Sequence, residues 1–188
     1  MFEIIDINDF SKAEYEYFFS LMENERREKI NRFRFDEDKK RSVFGEMLAK
    51  KMIAKHFDKT YEEVIIKADE TGKLYAENLD IHFNISHSGE FVICALSDKQ
   101  IGVDIEKIRD IKDNLINHVC TKDEKDYIIK NENEKNKRFI EIWTAKEAYF
   151  KYLGTGITDL KSINTLDDEF ISHLNRLFYK DYCISIYS

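Results

Sequence analysis

Residues 81–106 have the sequence IHFNISHSGEFVICALSDKQIGVDIE, in which short apolar runs alternate with turn residues. Runs rich in β-branched and aromatic side chains predict strands at Ile81–Ser86, Phe91–Leu96 and Ile101–Glu106. Ser88-Gly89 and residues 97–100 form links that are short enough to join antiparallel neighbours. The segment therefore predicts a mainly antiparallel sheet.

Helical patterns flank these strands on both sides. Ser11 is placed to cap a helix that extends to about Arg32, and Asp36 is placed to cap a second helix that extends to about Phe57. A third helix, Glu134–Leu153, is expected to end at Gly154. Further strands are predicted at residues 2–7, 64–67, 162–166 and 182–187, with a turn at residues 70–73. Helices mixed with mostly antiparallel strands make α+β the expected fold class.

The composition excludes several classes of protein. The chain has 188 residues, 43% hydrophobic and 36% charged, which suits one globular unit or two small subdomains. No apolar run reaches the roughly 20 residues that a bilayer-spanning helix needs. Residues 1–10 lack the basic start and apolar stretch of a secretory signal. Three cysteines without a C-x-x-C pair fit neither a disulfide framework nor a zinc site, so we expect a cytoplasmic location.

Charge is unevenly distributed along the chain. The net charge of −7 argues against general binding of nucleic acids. Residues 24–55 nevertheless carry eleven basic side chains against six acidic ones. A solvated helix face explains such a segment when charge alone is considered. The alternative is a binding site for a discrete anionic ligand.

An acidic pair occurs in Gly102–Glu106. Alternate side chains of a strand share a face, so Asp104 and Glu106 are expected to point the same way. Neighbouring carboxylates repel each other unless a cation lies between them, and Mg²⁺ prefers oxygen ligands and tolerates phosphates in its coordination shell. An ordinary exposed strand face is the alternative.

A second group of candidate residues lies on the third helix. Trp143, Glu147 and Lys151 are spaced by four residues and share one face, with Lys146 beside them. A glutamate and a lysine at this spacing usually form a surface ion pair. If this face meets the acidic strand, Glu147 becomes a third carboxylate for the metal, and the two lysines become phosphate ligands.

The adjacent Ser86 and His87 lie in Phe83–Gly89. A hydrolase is disfavoured, because the chain has no G-x-S-x-G elbow and adjacent residues of an extended chain point apart. The hydroxyl groups, the imidazole and a glycine-supplied backbone suit a phosphate site better. A capped turn with a structural histidine is the alternative.

Together these segments resemble the 4′-phosphopantetheinyl transferases, specifically the larger, monomeric type that activates surfactin synthetase (the Sfp type). The segments that carry the resemblance, in matching order and spacing, are Phe83–Ser88, Gly102–Glu106, Trp143–Lys151, Arg26–Lys29 and Arg41. The resemblance implies two similar α+β subdomains related by a pseudo-twofold axis, residues 1–101 and 102–188. The first subdomain would face the 3′-phosphate and adenine of coenzyme A. The second would carry the metal site and face the pyrophosphate.

The resemblance also implies roles for individual residues. Mg²⁺ would be held by Asp104, Glu106 and Glu147. Glu124 falls where some relatives place a proposed general base, and it would act with Glu147 and Lys151 in catalysis. Coenzyme A would be contacted by Arg26, Lys29, Arg41, Lys73, Ser86, His87, Lys146 and Lys151.

The implied reaction transfers the phosphopantetheine arm of coenzyme A to a serine of an acyl or peptidyl carrier protein and releases 3′,5′-ADP. The expected partners are coenzyme A and the carrier protein, without nucleic acid, membrane or a second copy of the chain. Two alternatives stay open. One is a Mg²⁺-dependent pyrophosphohydrolase of coenzyme A or nucleotides, in which water attacks. The other is a non-catalytic module that binds carrier proteins.

Overall fold

A computed structural model describes residues 1–156 and 158–188 of the chain, which divides into a first unit, Met1–Gln100, and a second unit, Ile101–Ser188. Each unit combines a three-stranded antiparallel sheet with helices, so the expected α+β class is confirmed. No helix in the described ranges is long and apolar enough to cross a bilayer.

The first unit has a sheet of strand order β1-β5-β4, a separate β2-β3 hairpin and three helices. Helix α3 packs on the sheet and supplies much of the apolar core of the unit, because Leu48, Met52 and Ile53 belong to the same buried cluster as Phe83 and Leu96. The elements are β1 (Phe2–Asp6), α1 (Lys12–Ser20), α2 (Asn24–Asn31), α3 (Asp36–His56), β2 (Ile66–Ala68), β3 (Leu74–Ala76), β4 (His82–Ser88) and β5 (Phe91–Ser97).

The helix predicted from Ser11 to about Arg32 is in fact two helices, α1 and α2. Ser11 caps α1 and forms a capping box with Glu14. The chain leaves helical geometry after α1 because Met22 is buried in the same apolar cluster as Ile30 of α2 and Phe44 of α3. Burial of these side chains overrides the continuous helical pattern of the sequence.

The second unit contains a sheet of strand order β6-β8-β7. Its central strand, β8, is buried at every residue, because β6 and β7 pair with it on either side. The elements are β6 (Gly102–Lys107), α4 (Asp113–Val119), α5 (Lys122–Ile129), α6 (Lys135–Leu153), α7 (Asp168–Ser172), β7 (Leu174–Tyr179) and β8 (Tyr182–Tyr187).

Two expectations about strands are wrong. Strand β6 was expected to pair with β5 through a short link, but it pairs with β8, with Asp104 opposite Ser185. Residues 162–166 form an irregular segment that ends in a turn instead of a strand, because the backbone nitrogen of Thr165 donates to the side chain of Glu124 on α5. The sequence pattern also missed β3, which has only three residues, and β7, whose apolar positions are interrupted by Asn175 and Arg176.

Helix α6 lies against the start of β6 with direct backbone contact. A Cβ atom at Gly102 would stand 1.9 Å from the carbonyl oxygen of Ala148 and 2.4 Å from the nitrogen of Tyr152. Only glycine permits this approach. The contact fixes the distance between the acidic residues of β6 and those of α6.

Candidate active site

The second unit brings an acidic cluster together from β6 and α6. Lys151 donates a hydrogen bond of 2.6 Å to Oδ1 of Asp104, which is 4% exposed. Burial, together with the negative charges of Asp104 and Glu106, raises the pKa of Glu147 to about 7, although Lys151 opposes the shift. Asp104, Glu106, Glu147 and Lys151 therefore lie within electrostatic range of one another.

The chemistry of this cluster fits a hard divalent cation, but its present arrangement is not a finished metal site. Carboxylate oxygens are the ligands that Mg²⁺ prefers, and a cation would offset both the burial and the carboxylate repulsion that raise the pKa of Glu147. Within residues 1–156 and 158–188, no group of three or more His, Cys, Asp or Glu side chains is arranged so that it could hold a metal ion.

Trp143 belongs mainly to the apolar core of the second unit. It packs with a buried cluster that includes Ile116, Val119 and Ile140, and its ring stacks on that of Phe139 at a centroid distance of 6.3 Å. The tryptophan thus anchors the middle of α6, one turn before Glu147.

Lys146 lies against Glu124 and not beside the acidic cluster, where the sequence predicted it. Its side chain is fully buried, and Nζ forms an ion pair of 2.8 Å with Oε2 of Glu124, which is also fully buried. Nζ also donates to three backbone carbonyls, at 3.2, 2.5 and 3.0 Å, those of Val119, Leu160 and Ile163. Because protein groups take all of its donors, this arrangement does not support the predicted phosphate contact.

Glu124 is equally occupied by protein contacts. One carboxylate oxygen accepts a hydrogen bond of 2.8 Å from the backbone nitrogen of Thr121, which caps α5. The other accepts from the backbone nitrogen and the hydroxyl of Thr165, both at 2.9 Å. A carboxylate held in this way, with no exposed surface, does not support the predicted role of a general base. The pair instead ties α5 and α6 to the segment at residues 160–165.

A basic pocket lies in the first unit, beside α3 and β4. It has a volume of about 220 Å³. Four of the predicted coenzyme A ligands line it, namely Arg26, Arg41, Lys73 and His87. Lys29 lines a larger groove of about 1140 Å³ between α2 and the β2-β3 turn, and Arg26 and Gly72 line both cavities.

Ser86 is the exception among the predicted ligands of the first unit. It lies between Ile85 and His87 on β4, but it is 5% exposed, whereas His87 is exposed. Among the described residues, the lining of the basic pocket does not include Ser86. Because of this burial, the structure does not support the predicted contact between Ser86 and coenzyme A.

The turn between β2 and β3 carries Lys73 and lies next to Lys29 of α2. Asp69 accepts hydrogen bonds from the backbone nitrogens of Thr71 and Lys73, at 2.9 and 3.0 Å. Gly72 adopts a φ of +87°, and a Cβ atom there would stand 2.9 Å from Nζ of Lys29. The two predicted ligands thus lie at the rim of the pocket, and the positive φ favours glycine at this position.

Acidic residues of α3 hold the two arginines of the pocket. Nε of Arg26 donates to Oε2 of Glu46 at 3.0 Å, and burial raises the pKa of Glu46 although Arg26 opposes the shift. Nη2 of Arg41 donates to Asp38 at 2.5 Å, and its Nη1 donates to the carbonyl of Gly89 at 2.7 Å. The carbonyl contact ties Arg41 to the β4-β5 turn.

Glu46 and Ser42 also belong to this site, although neither was among the ligands expected from the sequence. Glu46 lies within the buried stripe of α3, next to Gly45 and Met47, and is 3% exposed. A charged residue inside an apolar stripe signals a buried partner, because an uncompensated charge is costly to bury. That signal was available, but it could not identify Arg26 as the partner.

Two family models match the chain. The model "4′-phosphopantetheinyl transferase, N-terminal" matches residues 9–99, and the model "4′-phosphopantetheinyl transferase superfamily" matches residues 100–188. 4′-Phosphopantetheinyl transferase Sfp of Bacillus subtilis (strain 168) is 35% identical over 150 residues, which cover 79% of this chain and 67% of the relative. The chain belongs to the 4′-phosphopantetheinyl transferase superfamily. It is an enzyme of the Sfp type within that family.

Further relatives agree with this assignment. A 4′-phosphopantetheinyl transferase of Bacillus subtilis is 32% identical over 167 residues, which cover 86% of this chain and 75% of the relative. 4′-Phosphopantetheinyl transferase gsp of Aneurinibacillus migulanus is 32% identical over 151 residues, which cover 80% of this chain and 63% of that protein. The family, the fold class and the type of activity expected from the sequence are thereby confirmed.

Proposed function

We propose that this phosphopantetheinyl transferase moves the 4′-phosphopantetheine arm of coenzyme A to a serine of an acyl or peptidyl carrier protein and releases 3′,5′-ADP. Membership of the family supports the type of reaction. The observation that carries the proposal is the acidic cluster, in which Asp104 and Glu147 lie within electrostatic range beside Lys151.

Mg²⁺ would be held by Asp104, Glu106 and Glu147. When bound, the ion neutralises charge on the pyrophosphate of coenzyme A. The chain itself supplies three carboxylates for such an ion and a lysine, Lys151, that is 28% exposed and can contact a phosphate once it leaves Asp104. Calorimetric titration with Mg²⁺ tests this part, because Asp104→Asn, measured on protein whose folding has been verified, should abolish the heat of binding.

The basic pocket of the first unit would receive the 3′-phosphate and adenosine end of coenzyme A. Arg26, Arg41, Lys73 and His87 line it, and Lys29 lies at its rim. A phosphate monoester carries close to two negative charges at neutral pH, which such a group of cations neutralises. Ser86 and Lys146, which are buried in the structure, do not contribute to this proposal.

Intact-mass analysis tests the whole reaction. The protein is incubated with coenzyme A, Mg²⁺ and several unmodified carrier proteins, and the mass of each carrier is followed with the release of 3′,5′-ADP. Addition of the arm with equal release of 3′,5′-ADP supports transfer. Release of 3′,5′-ADP without a carrier would indicate the pyrophosphohydrolase, and carrier binding without binding of coenzyme A would indicate a non-catalytic module.

A further inference from the structure

The Arg26–Glu46 ion pair lies in the wall of the basic pocket. The arginine side chain is 11% exposed and the glutamate side chain is 4% exposed. Arg26 donates from Nε to Glu46 at 3.0 Å and from Nη2 to the hydroxyl of Ser42 at 3.3 Å. Both partners lie on α3, whereas Arg26 lies on α2. One face of α3 therefore holds the plane of the guanidinium in a fixed orientation.

Within the described ranges, some N–H groups of this guanidinium are not used in contacts with the protein. Arg26 lines the basic pocket and the adjoining groove. Among the described residues, its hydrogen bonds use Nε and Nη2, so the two N–H groups of Nη1 are left for a ligand. A guanidinium with a planar, fixed set of donors recognises phosphate oxygens with defined geometry, which a mobile side chain does less well.

We propose that Glu46, with help from Ser42, is a positioning residue that orients Arg26 toward the 3′-phosphate and so determines the preference for coenzyme A over its 3′-dephospho form. The inference rests on the proposed function, because it assumes that the pocket receives the 3′-phosphate end. Glu46 itself need not touch the substrate. It acts by holding the Nε edge of Arg26, so that binding does not have to order that side chain.

A purely structural role for the pair would have different consequences. In that case removal of the Glu46 charge would lower stability and affect both forms of the substrate equally. The second unit supplies a matched control, because Glu141 is also buried and lies 3.8 Å from the guanidinium of Arg176, outside the residues proposed to bind substrate. Glu141→Gln therefore reports the general effect of neutralising a buried glutamate beside an arginine.

The experiment measures KM and kcat for coenzyme A and for 3′-dephospho-coenzyme A, together with calorimetric dissociation constants for both. Glu46→Gln should raise the KM for coenzyme A about tenfold, with a change of no more than about twofold for the dephospho form and for kcat. Glu141→Gln should leave the ratio of the two KM values unchanged. Ser42→Ala should lower the preference for coenzyme A in the same direction by about threefold.

A double-variant comparison separates action through Arg26 from a direct effect. Arg26→Met should remove most of the preference for the 3′-phosphate, and Arg26→Met/Glu46→Gln should show no further loss. An unchanged substrate ratio in Glu46→Gln, or a double variant whose losses multiply, would overturn the inference while leaving the transferase proposal intact. If Glu46→Gln does not fold, Ser42→Ala decides the matter by the presence or absence of its shift. If the unmodified protein neither binds nor uses coenzyme A, the proposed function and this inference both fail.

Discussion

Two buried ion pairs of similar chemistry occur in the two units. In the second unit, Lys146 and Glu124 have no exposed surface, and backbone carbonyls take the donors that the glutamate leaves. In the first unit, Arg26 and Glu46 are also buried, but the arginine lines a pocket and retains the donors of Nη1. The Lys146–Glu124 pair is therefore closed within the protein, whereas the Arg26–Glu46 pair is open to a ligand.

The difference shows that burial of a charged pair does not by itself indicate function. Breaking a buried pair leaves an uncompensated charge and is costly in either unit. Only a pair with donors left over at a cavity can also bind an anion. We therefore expect changes at the closed pair to alter stability, and changes around the open pair to alter affinity for coenzyme A.

The largest effect is expected at the closed pair. Lys146→Met leaves the Glu124 carboxylate buried without a counter-charge, which should lower the free energy of unfolding by about 3–5 kcal/mol. Denaturant unfolding measures the change. Lys146→Met/Glu124→Gln should recover much of the loss and retain transferase activity. Normal stability with a raised KM for coenzyme A in Lys146→Met would mean that this pair is open as well.

Gly102→Ala tests the close packing of the second unit. The new methyl group would meet the backbone of α6 at 1.9 Å, which should lower the free energy of unfolding by about 3 kcal/mol. Gly156→Ala is the control, because its Cβ meets nothing within 4 Å and the expected cost of about 1 kcal/mol arises only from its φ of +69°. Equal thermal shifts in the two variants would contradict the backbone contact.

Arg41→Ala tests the basic pocket of the first unit, next to the open pair. The side chain lines the basic pocket, so its loss should raise the KM for coenzyme A about tenfold with little change in kcat. Loss of its hydrogen bond to the carbonyl of Gly89 should also lower the free energy of unfolding by about 1 kcal/mol. Steady-state kinetics measured alongside thermal unfolding separate the two effects, and an unchanged KM would remove Arg41 from the proposed phosphate site.

The smallest effect is expected at Lys29, which is exposed at the rim of the pocket. Lys29→Ala should raise the KM for coenzyme A about threefold at low ionic strength and less at high salt, because solvent ions screen exposed charges. Kinetics at two salt concentrations measure this dependence. An effect larger than that of Arg41→Ala would reverse the expected order of contributions.

Local patterns in the sequence predicted the fold class and most elements of the site. The alternation in Gly102–Glu106 placed Asp104 and Glu106 on β6, and the four-residue spacing placed Glu147 and Lys151 on one face of α6. Both patterns depend on neighbours in the sequence, because strand and helix periods fix which side chains share a face. The remaining functional assignments came from the family resemblance.

Properties set by distant partners could not be predicted in this way. Lys146 is adjacent to Glu147 in the chain, but a helix turns by about 100° per residue, and Lys146 therefore reaches Glu124 on α5 instead of the acidic cluster. The pairing of β6 with β8 likewise depends on a strand near the end of the chain. The burial of Glu46 against Arg26 depends on how α2 packs on α3, which periodicity does not specify.

The central claim is that the acidic cluster of β6 and α6 serves transfer of the phosphopantetheine arm. Intact-mass analysis of a carrier protein, with coenzyme A and Mg²⁺, tests it most directly when the unmodified protein is compared with Glu147→Gln at verified equal folding. Loss of one carboxylate that is proposed to hold the metal should remove several kcal/mol of transition-state stabilisation, so we predict full conversion by the former and a rate about a thousandfold lower for the latter. Conversion by Glu147→Gln at the unmodified rate would contradict the account.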